Sequence, residues 1–243
     1  MKKYARSLFV VTILSLFLVS CAPFRKSRTP LGQSHQQLDI KTTLKYLLYL
    51  PEEYNKEPHE WPLLLFLHGA GERGSVLDSV KKHGPPKLAE QIPNMPFIIV
   101  SPQCPENQWW TNKVNELHAL LNALIAKYRI DAKKIYVTGL SMGGYGTWEL
   151  AMAYPNRFAA IAPICGGGDS RRVCRLKNVP TWVFHGARDE VVPIQQSQVL
   201  VDALKECGGN VKFTIYPDAK HDSWTETYNN PDLYKWFLEH SLP

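Results

Sequence analysis

The chain from about residue 40 onward alternates short apolar runs with segments of helical periodicity. Strands are predicted at residues 44–50, 62–68, 97–102, 134–139, 158–164, 181–186 and 211–217. Helices are predicted at residues 114–128, 142–155, 193–209 and 231–240, where apolar residues recur at three- and four-residue intervals. Apolar runs without polar alternation are typical of strands buried on both faces. The pattern therefore predicts an α/β fold, with a mostly parallel central sheet and helices on both faces.

The first 20 residues have the pattern of an export signal. Lys2, Lys3 and Arg6 precede an apolar stretch at residues 8–19, which is short for a membrane-spanning helix. The segment ends in Leu-Val-Ser-Cys, which resembles the lipobox of bacterial lipoproteins. The resemblance implies a signal peptide at residues 1–20 and a lipidated Cys21 as membrane anchor. A plain signal peptide followed by an incidental cysteine is the alternative.

Residues 21–37 are polar and contain Pro and Gly, which predicts a tether ahead of a catalytic domain at residues 38–243. On this interpretation the protein is exported and held at the bacterial cell envelope, on its periplasmic or cell-surface face.

Charge and cysteine content narrow the function classes. The 243 residues carry a formal net charge of +6. Removal of the predicted signal leaves +3, too little to indicate a nucleic-acid partner. Four cysteines follow Cys21, and Cys165 with Cys174 would close a short disulfide loop, although spacing alone leaves the pairing open. The sequence has no C-x-x-C and no Cys/His cluster at metal spacing, so we expect no metal site.

A candidate nucleophile lies between the strand at 134–139 and the following helix. The sequence Gly139-Leu-Ser141-Met-Gly143 is a G-x-S-x-G motif, in which a sharp strand-to-helix turn exposes the serine hydroxyl. Glycine suits both flanking positions because neighbouring backbone crowds them. The helix N-terminus also directs backbone N–H groups toward developing negative charge.

A serine nucleophile needs a base, and that base needs a carboxylate to orient it. Asp189 follows the strand at 181–186, and its neighbour Glu190 is the alternative acid. His221 follows the strand at 211–217 and is the candidate base. Asp218 and Asp222 flank His221 as further candidate partners, but residues so near on one loop seldom reach its Nδ1. The order Ser, Asp, His along the chain fits this architecture.

Residues 65–75, LFLHGAGERGS, allow two interpretations. Read from Gly69, they match G-x-G-x-x-G, a dinucleotide-binding turn that also needs an acidic residue closing the next strand. Glu90 has the right spacing but precedes that strand. Read from His68, they form an HGAG loop that supplies an oxyanion-hole donor. We therefore expect the backbone N–H groups of Met142 and Ala70, with Gly71 as the alternative to Ala70, to bind an oxyanion.

With these residues identified, the chain resembles the α/β-hydrolase superfamily over residues 40–243. Within it, the chain is similar to bacterial secreted phospholipase/carboxylesterases, feruloyl esterases and polyhydroxyalkanoate-depolymerase-like proteins, some of which are described as peptidases. The supporting segments are FLHGAGERG, HGPP, SPQCPE, YVTGLSMGGYGTW, YPNRFAAIAPICGGG, VFHGARDEVVP and YPDAKHDSW. The resemblance implies an α/β-hydrolase fold and a serine hydrolase of carboxylic esters that uses no metal or cofactor. No insertion long enough for a lid domain separates the strands at 158–164 and 181–186.

Substrate specificity is less defined by the sequence. Trp110 and Trp224 are candidate substrate platforms for an aryl ester or a sugar face, although tryptophans in loops are as often packing residues. The expected substrate is a small ester, or an acyl or feruloyl ester carried on a polysaccharide. A serine peptidase shares the same acyl chemistry and is the principal alternative. A non-catalytic surface-binding lipoprotein is the remaining one.

Overall fold

The computed structural model describes residues 31–39, 43–92 and 94–243. The predicted signal segment and Cys21 lie outside the described residues. Eight strands form one sheet: β1 (Gly32–Asp39), β2 (Thr43–Leu50), β3 (Trp61–Leu67), β4 (Ile98–Pro102), β5 (Ile130–Leu140), β6 (Ala160–Ile164), β7 (Thr181–Gly186) and β8 (Val211–Tyr216). Their order across the sheet is β1-β2-β4-β3-β5-β6-β7-β8.

Six helices flank the sheet: α1 (Gly84–Leu88), α2 (Val114–Lys127), α3 (Met142–Ala153), α4 (Gln195–Glu206), α5 (Trp224–Asn229) and α6 (Pro231–Leu238). Pairing is antiparallel from β1 through β2 to β4 and parallel from β4 to β8. The predicted mostly parallel sheet is confirmed. Parallel pairing brings the carboxyl ends of β3 and β5–β8 to one edge, where their loops meet.

Alternation along the strands produces a core on each face of the sheet. Leu63, Leu65 and Leu67 of β3 pack into one cluster with α2, α3 and α4, whereas Leu64 and Phe66 pack into the other with α6. All five side chains are buried. Burial on both faces accounts for the absence of polar alternation in this strand.

The amino-terminal edge differs from the sequence prediction. The chain enters the sheet at Gly32, within the segment predicted as a tether, and Gly32–Asp39 pairs in register with Thr43–Leu50. An edge strand is held by backbone hydrogen bonds on one side only and needs no continuous apolar face. The polar sequence GQSHQQLD therefore gives little hydrophobic signal.

The connection from β6 to β7 contains only a short 3₁₀ helix at Val173–Leu176, so the described residues 165–180 include no lid domain, as expected. The disulfide joins Cys174 to Cys207 across 33 residues, whereas Cys165 is a buried free thiol. The short loop considered from the sequence, Cys165 with Cys174, is therefore not the pair formed. Within the described part of the chain, no helix is both long and apolar enough to cross a membrane.

Candidate active site

Ser141 lies on a strained turn between β5 and α3. Its backbone has φ +52° and ψ −115°, a region that non-glycine residues seldom adopt. Close backbone contacts impose the flanking glycines. A Cβ on Gly143 would overlap the Leu67 carbonyl of β3, and one on Gly139 would overlap the Gly143 carbonyl. The glycines of the motif therefore allow the turn to pack directly against β3.

The sheet topology brings the three predicted catalytic side chains together from three loops. His221 follows β8, and its Nε2 lies 3.0 Å from Ser141 Oγ. Asp189 follows β7, and its Oδ2 lies 2.7 Å from His221 Nδ1. Both distances are in hydrogen-bond range, so the geometry permits proton transfer from the serine hydroxyl to an imidazole oriented by a carboxylate.

Asp189 is buried, and both oxygens of its carboxylate face hydrogen-bond donors. Its Oδ1 accepts hydrogen bonds from the backbone N–H groups of Val191 and Val192, each at 2.9 Å. These bonds hold the carboxylate in place while Oδ2 faces His221. The backbone amides also stabilise its charge in a site largely closed to water.

The alternative acids have other positions. Glu190 is exposed. Asp218 is exposed and pairs with Arg188 at 2.7 Å, and Asp222 accepts hydrogen bonds from Thr225 at the start of α5. None of the three contacts His221 through a hydrogen bond.

A second histidine, His185 at the end of β7, contacts the same carboxylate. It is fully buried, and its Nε2 lies 2.8 Å from the Val192 carbonyl and 3.3 Å from Asp189 Oδ2. Burial lowers the pKa of His185 below its usual value, so the imidazole is neutral. The Val192 carbonyl can only accept, which places the single ring proton on Nε2. In the sequence, the one indication of this contact is that His185 lies four residues before Asp189.

The HGAG loop packs against the nucleophile turn. Ala70 begins a 3₁₀ turn at Ala70–Glu72, with Gly71 as its second residue, and Met142 begins α3. First-turn N–H groups have no acceptor within their own helix, so these donors are free to bind an anion. A Cβ on Gly69 would lie 2.8 Å from Leu140 Cδ1, which shows how closely the loop and the turn approach.

His68 holds the HGAG loop in place through two hydrogen bonds. Its Nδ1 donates to the Gly69 carbonyl at 2.6 Å, and its Nε2 accepts from the Cys104 backbone N–H at 2.9 Å. Burial lowers the pKa of His68 to about 4, which keeps the imidazole neutral and able to make both bonds. These two bonds from a buried side chain fix the position of the HGAG loop.

The two candidate substrate tryptophans have different environments. Trp110 is fully buried, and its Nε1 donates to the His68 carbonyl at 3.0 Å. The proposed substrate contact for Trp110 is therefore wrong, because its ring has no accessible surface. Its neighbour Trp109 is the exposed member of the pair, with Arg73 stacked over its ring. Trp224 is partly exposed and stands edge-on to His221, with ring centroids 5.2 Å apart.

Cys165 lies close to Asp189 and His221, a position that nothing in the sequence indicates. Its backbone has φ +39°, and burial raises the pKa of its thiol to about 12. Ligand atoms of Cys165, Asp189 and His221 lie within 4.8 Å of one another, the one such group of potential metal ligands among the described residues. Both ring nitrogens of His221 are already hydrogen-bonded to Asp189 and Ser141, so this set coincides with the predicted catalytic residues.

Sequence comparison relates the chain to a known family and to individual esterases. Residues 101–231 match the phospholipase/carboxylesterase family model. The chain is 27% identical over 180 residues to a bifunctional acetylxylan esterase/xylanase of Neocallimastix patriciarum, covering 72% of this chain and 26% of that protein. It is 30% identical over 138 residues to feruloyl esterase B of Neurospora crassa, covering 51% of this chain and 44% of that protein.

Solved structures agree on the fold. A thermostable esterase superposes with a TM-score of 0.75 at 35% identity, over 86% of this chain and 63% of that one. The protein therefore has the α/β-hydrolase fold. The chain spans less than two thirds of the length of each of these relatives.

Proposed function

The chain belongs to the phospholipase/carboxylesterase family of α/β-hydrolases, and from that premise we propose that it hydrolyses carboxylic esters through a serine acyl-enzyme. The observation that carries the proposal is the continuous hydrogen-bonded series Ser141–His221–Asp189, with distances of 3.0 and 2.7 Å. Its members come from three separate loops at the carboxyl edge of the sheet. Such a constellation supports nucleophilic catalysis at neutral pH.

The proposed reaction has two half-steps. Ser141 Oγ bonds to the ester carbonyl carbon while its proton moves to His221 Nε2. The tetrahedral intermediate collapses, the carbon–alcohol oxygen bond breaks, and the alcohol leaves with the proton from His221. Water then attacks the acyl-enzyme and passes a proton to His221, and the acid is released as Ser141 regains its proton.

Negative charge develops on the tetrahedral oxygen in each half-step, and it makes the chief contribution to the activation free energy. We assign its stabilisation to the backbone N–H of Met142 and that of Ala70, with Gly71 as the alternative to Ala70. Preorganised donors of this kind each contribute about 10²–10³ in turnover. Anchoring of the HGAG loop by buried His68 supports this assignment, because a donor held in advance does not need to reorganise during reaction.

Polysaccharide-borne acetyl or feruloyl esters are the proposed substrates. The names of the relatives support this class, since they include an acetylxylan esterase and a feruloyl esterase. The short β6–β7 connection supports an open acyl site that a polymer could approach.

Activity of Ser141→Ala tests the proposal. Wild type should hydrolyse at least one of p-nitrophenyl acetate, methyl ferulate and acetylated xylan, and the variant should lose about 10⁶-fold in kcat. Retention of wild-type esterase activity by Ser141→Ala would refute the proposal. A wild type that cleaves peptides but none of these esters would favour the peptidase alternative.

We further propose that the protein is a lipoprotein of the cell envelope, with Cys21 as its lipid anchor. The support is the sequence alone: a basic start, an apolar stretch and Leu-Val-Ser-Cys at residues 18–21. Wild type expressed in a bacterium should partition into the detergent phase of Triton X-114, whereas Cys21→Ala should move to the aqueous phase. Equal partitioning of the two proteins would contradict the proposal.

A further inference from the structure

A small cleft opens between α1 and α5, beside the catalytic array. Its volume is about 150 Å³. This is below the 300–1,000 Å³ of pockets for drug-sized ligands, so it suits a single ring. The polar or aromatic side chains that line it are His83, Lys87, Gln91, Trp224, Thr225, Tyr228 and Asn229.

Two ring contacts connect the cleft to the site. Trp224 lines the cleft and also stands edge-on to the His221 ring, with centroids 5.2 Å apart. His83 packs against Trp224 with centroids 5.5 Å apart, and its Nε2 lies 3.9 Å from the carboxylate of Glu72, the last residue of the 3₁₀ turn in the oxyanion loop. Trp224 therefore connects the cleft to the base, and His83 connects it to the oxyanion loop.

The position of the base decides which part of an ester faces the cleft. His221 Nε2 must deliver a proton to the departing alcohol oxygen, so the alcohol moiety lies on the His221 side of Ser141. Trp224 extends that side directly into the cleft. The alcohol portion of the substrate, and not the acyl chain, is thus the group that can reach it.

The side chains that line the cleft favour a ring that carries polar groups. Gln91 and Asn229 offer amides and Thr225 a hydroxyl, all three exposed, and burial lowers the pKa of His83, leaving a neutral imidazole that both donates and accepts. The Trp224 Nε1–H is buried and has no hydrogen-bond partner, a donor that lacks an acceptor. An alkyl chain offers the exposed amides and hydroxyl no partner, whereas a ring bearing several hydroxyls can pair with them while its face packs against the Trp224 indole.

From this geometry we propose that the cleft between α1 and α5 is a sugar subsite that binds the alcohol portion of a carbohydrate ester. The inference rests on the proposed esterase function and specifies its leaving-group class. The subsite would discriminate by alcohol: an ester of a pentose or hexose gains contacts that a methyl ester with the same acyl group cannot make.

Paired substrates test this directly. The kcat/KM values of feruloyl-arabinose and methyl ferulate, and of acetylated xylobiose and methyl acetate, are measured for wild type and Gln91→Ala/Asn229→Ala. Within each pair the acyl group is constant, so their ratio reports the alcohol subsite. We expect wild type to favour the sugar ester, and the double variant to lose about tenfold in that ratio, as expected for two lost hydrogen bonds.

Asn210→Ala supplies the matched control. Asn210 is exposed and immediately precedes β8, at the opposite edge of the sheet, so this variant should keep the wild-type ratio. A wild type that hydrolyses a methyl ester but neither sugar ester, or a double variant with an unchanged ratio, overturns the subsite while leaving the esterase proposal intact. Failure of wild type on all four esters contradicts the esterase function itself.

Discussion

Replacement of His185 by phenylalanine should separate stability from catalysis. The change keeps an aromatic ring at a fully buried position but removes both ring nitrogens. The Val192 carbonyl then loses its 2.8 Å donor. The Ser197 hydroxyl has a single proton to share between His185 Nδ1 at 2.8 Å and the Gly166 carbonyl at 2.9 Å, and it keeps the second acceptor. One orphaned buried acceptor costs about 1–3 kcal/mol. We therefore expect Tm to fall by about 6 °C.

The effect of this substitution on turnover should be much smaller. Asp189 keeps its 2.7 Å bond to His221 and both backbone donors at 2.9 Å, and loses only the 3.3 Å contact with His185. At a temperature where both proteins are folded, kcat/KM should fall by less than about tenfold. By comparison, Asp189→Asn should lose about 10⁴-fold in kcat.

Thermal melts and steady-state ester hydrolysis measure the two effects. His118→Phe is the matched control, because His118 stacks on Tyr154 and its Nδ1 has no hydrogen-bond partner to lose. We expect that control to change the free energy of unfolding by less than about 1 kcal/mol. An unchanged Tm in His185→Phe, or an activity loss equal to that of Asp189→Asn, would refute the reasoning.

Two further predictions concern stability. Cys174→Ser/Cys207→Ser removes a disulfide that spans 33 residues, and chemical denaturation should show a loss of about 4 kcal/mol, with no loss indicating that the bond does not form in solution. His68 has its pKa lowered to about 4 in the native protein against about 6.5 when unfolded, so the unfolded state binds more protons between these pH values and native stability falls as pH drops through that window. Between pH 7 and pH 4, the free energy of unfolding of His68→Gln should decline by up to about 3 kcal/mol less than that of wild type. An identical pH dependence in the two proteins would contradict the buried neutral imidazole.

The sheet and the position of the site could be predicted because their signals are local. Each strand from β2 to β8 contains a short segment rich in apolar residues, and the loops after β5, β7 and β8 carry Ser141, Asp189 and His221. Parallel pairing of these strands brings the three loops together at one edge of the sheet. The edge strand Gly32–Asp39 gave no such signal, because its sequence is largely polar and its place in the sheet comes from backbone pairing with β2.

Features that depend on packing between distant segments could not be predicted. Trp109 and Trp110 are adjacent and chemically identical, and Trp110 is the one that packs into the core, where its Nε1 donates to the His68 carbonyl. The Cys174–Cys207 pairing depends on how α4 packs beside the 3₁₀ helix at Val173–Leu176. Contact between His185 and Asp189 depends on the turn that follows β7.

The central claim is that Ser141 is an activated nucleophile, and covalent labelling tests it most directly. Wild type treated with a fluorophosphonate should gain the mass of one adduct, and peptide mapping should locate it on Ser141. Ser141→Ala should gain none, and Asp189→Asn should react far more slowly than wild type. A wild type that remains unlabelled, or an adduct on a residue other than Ser141, would contradict the account.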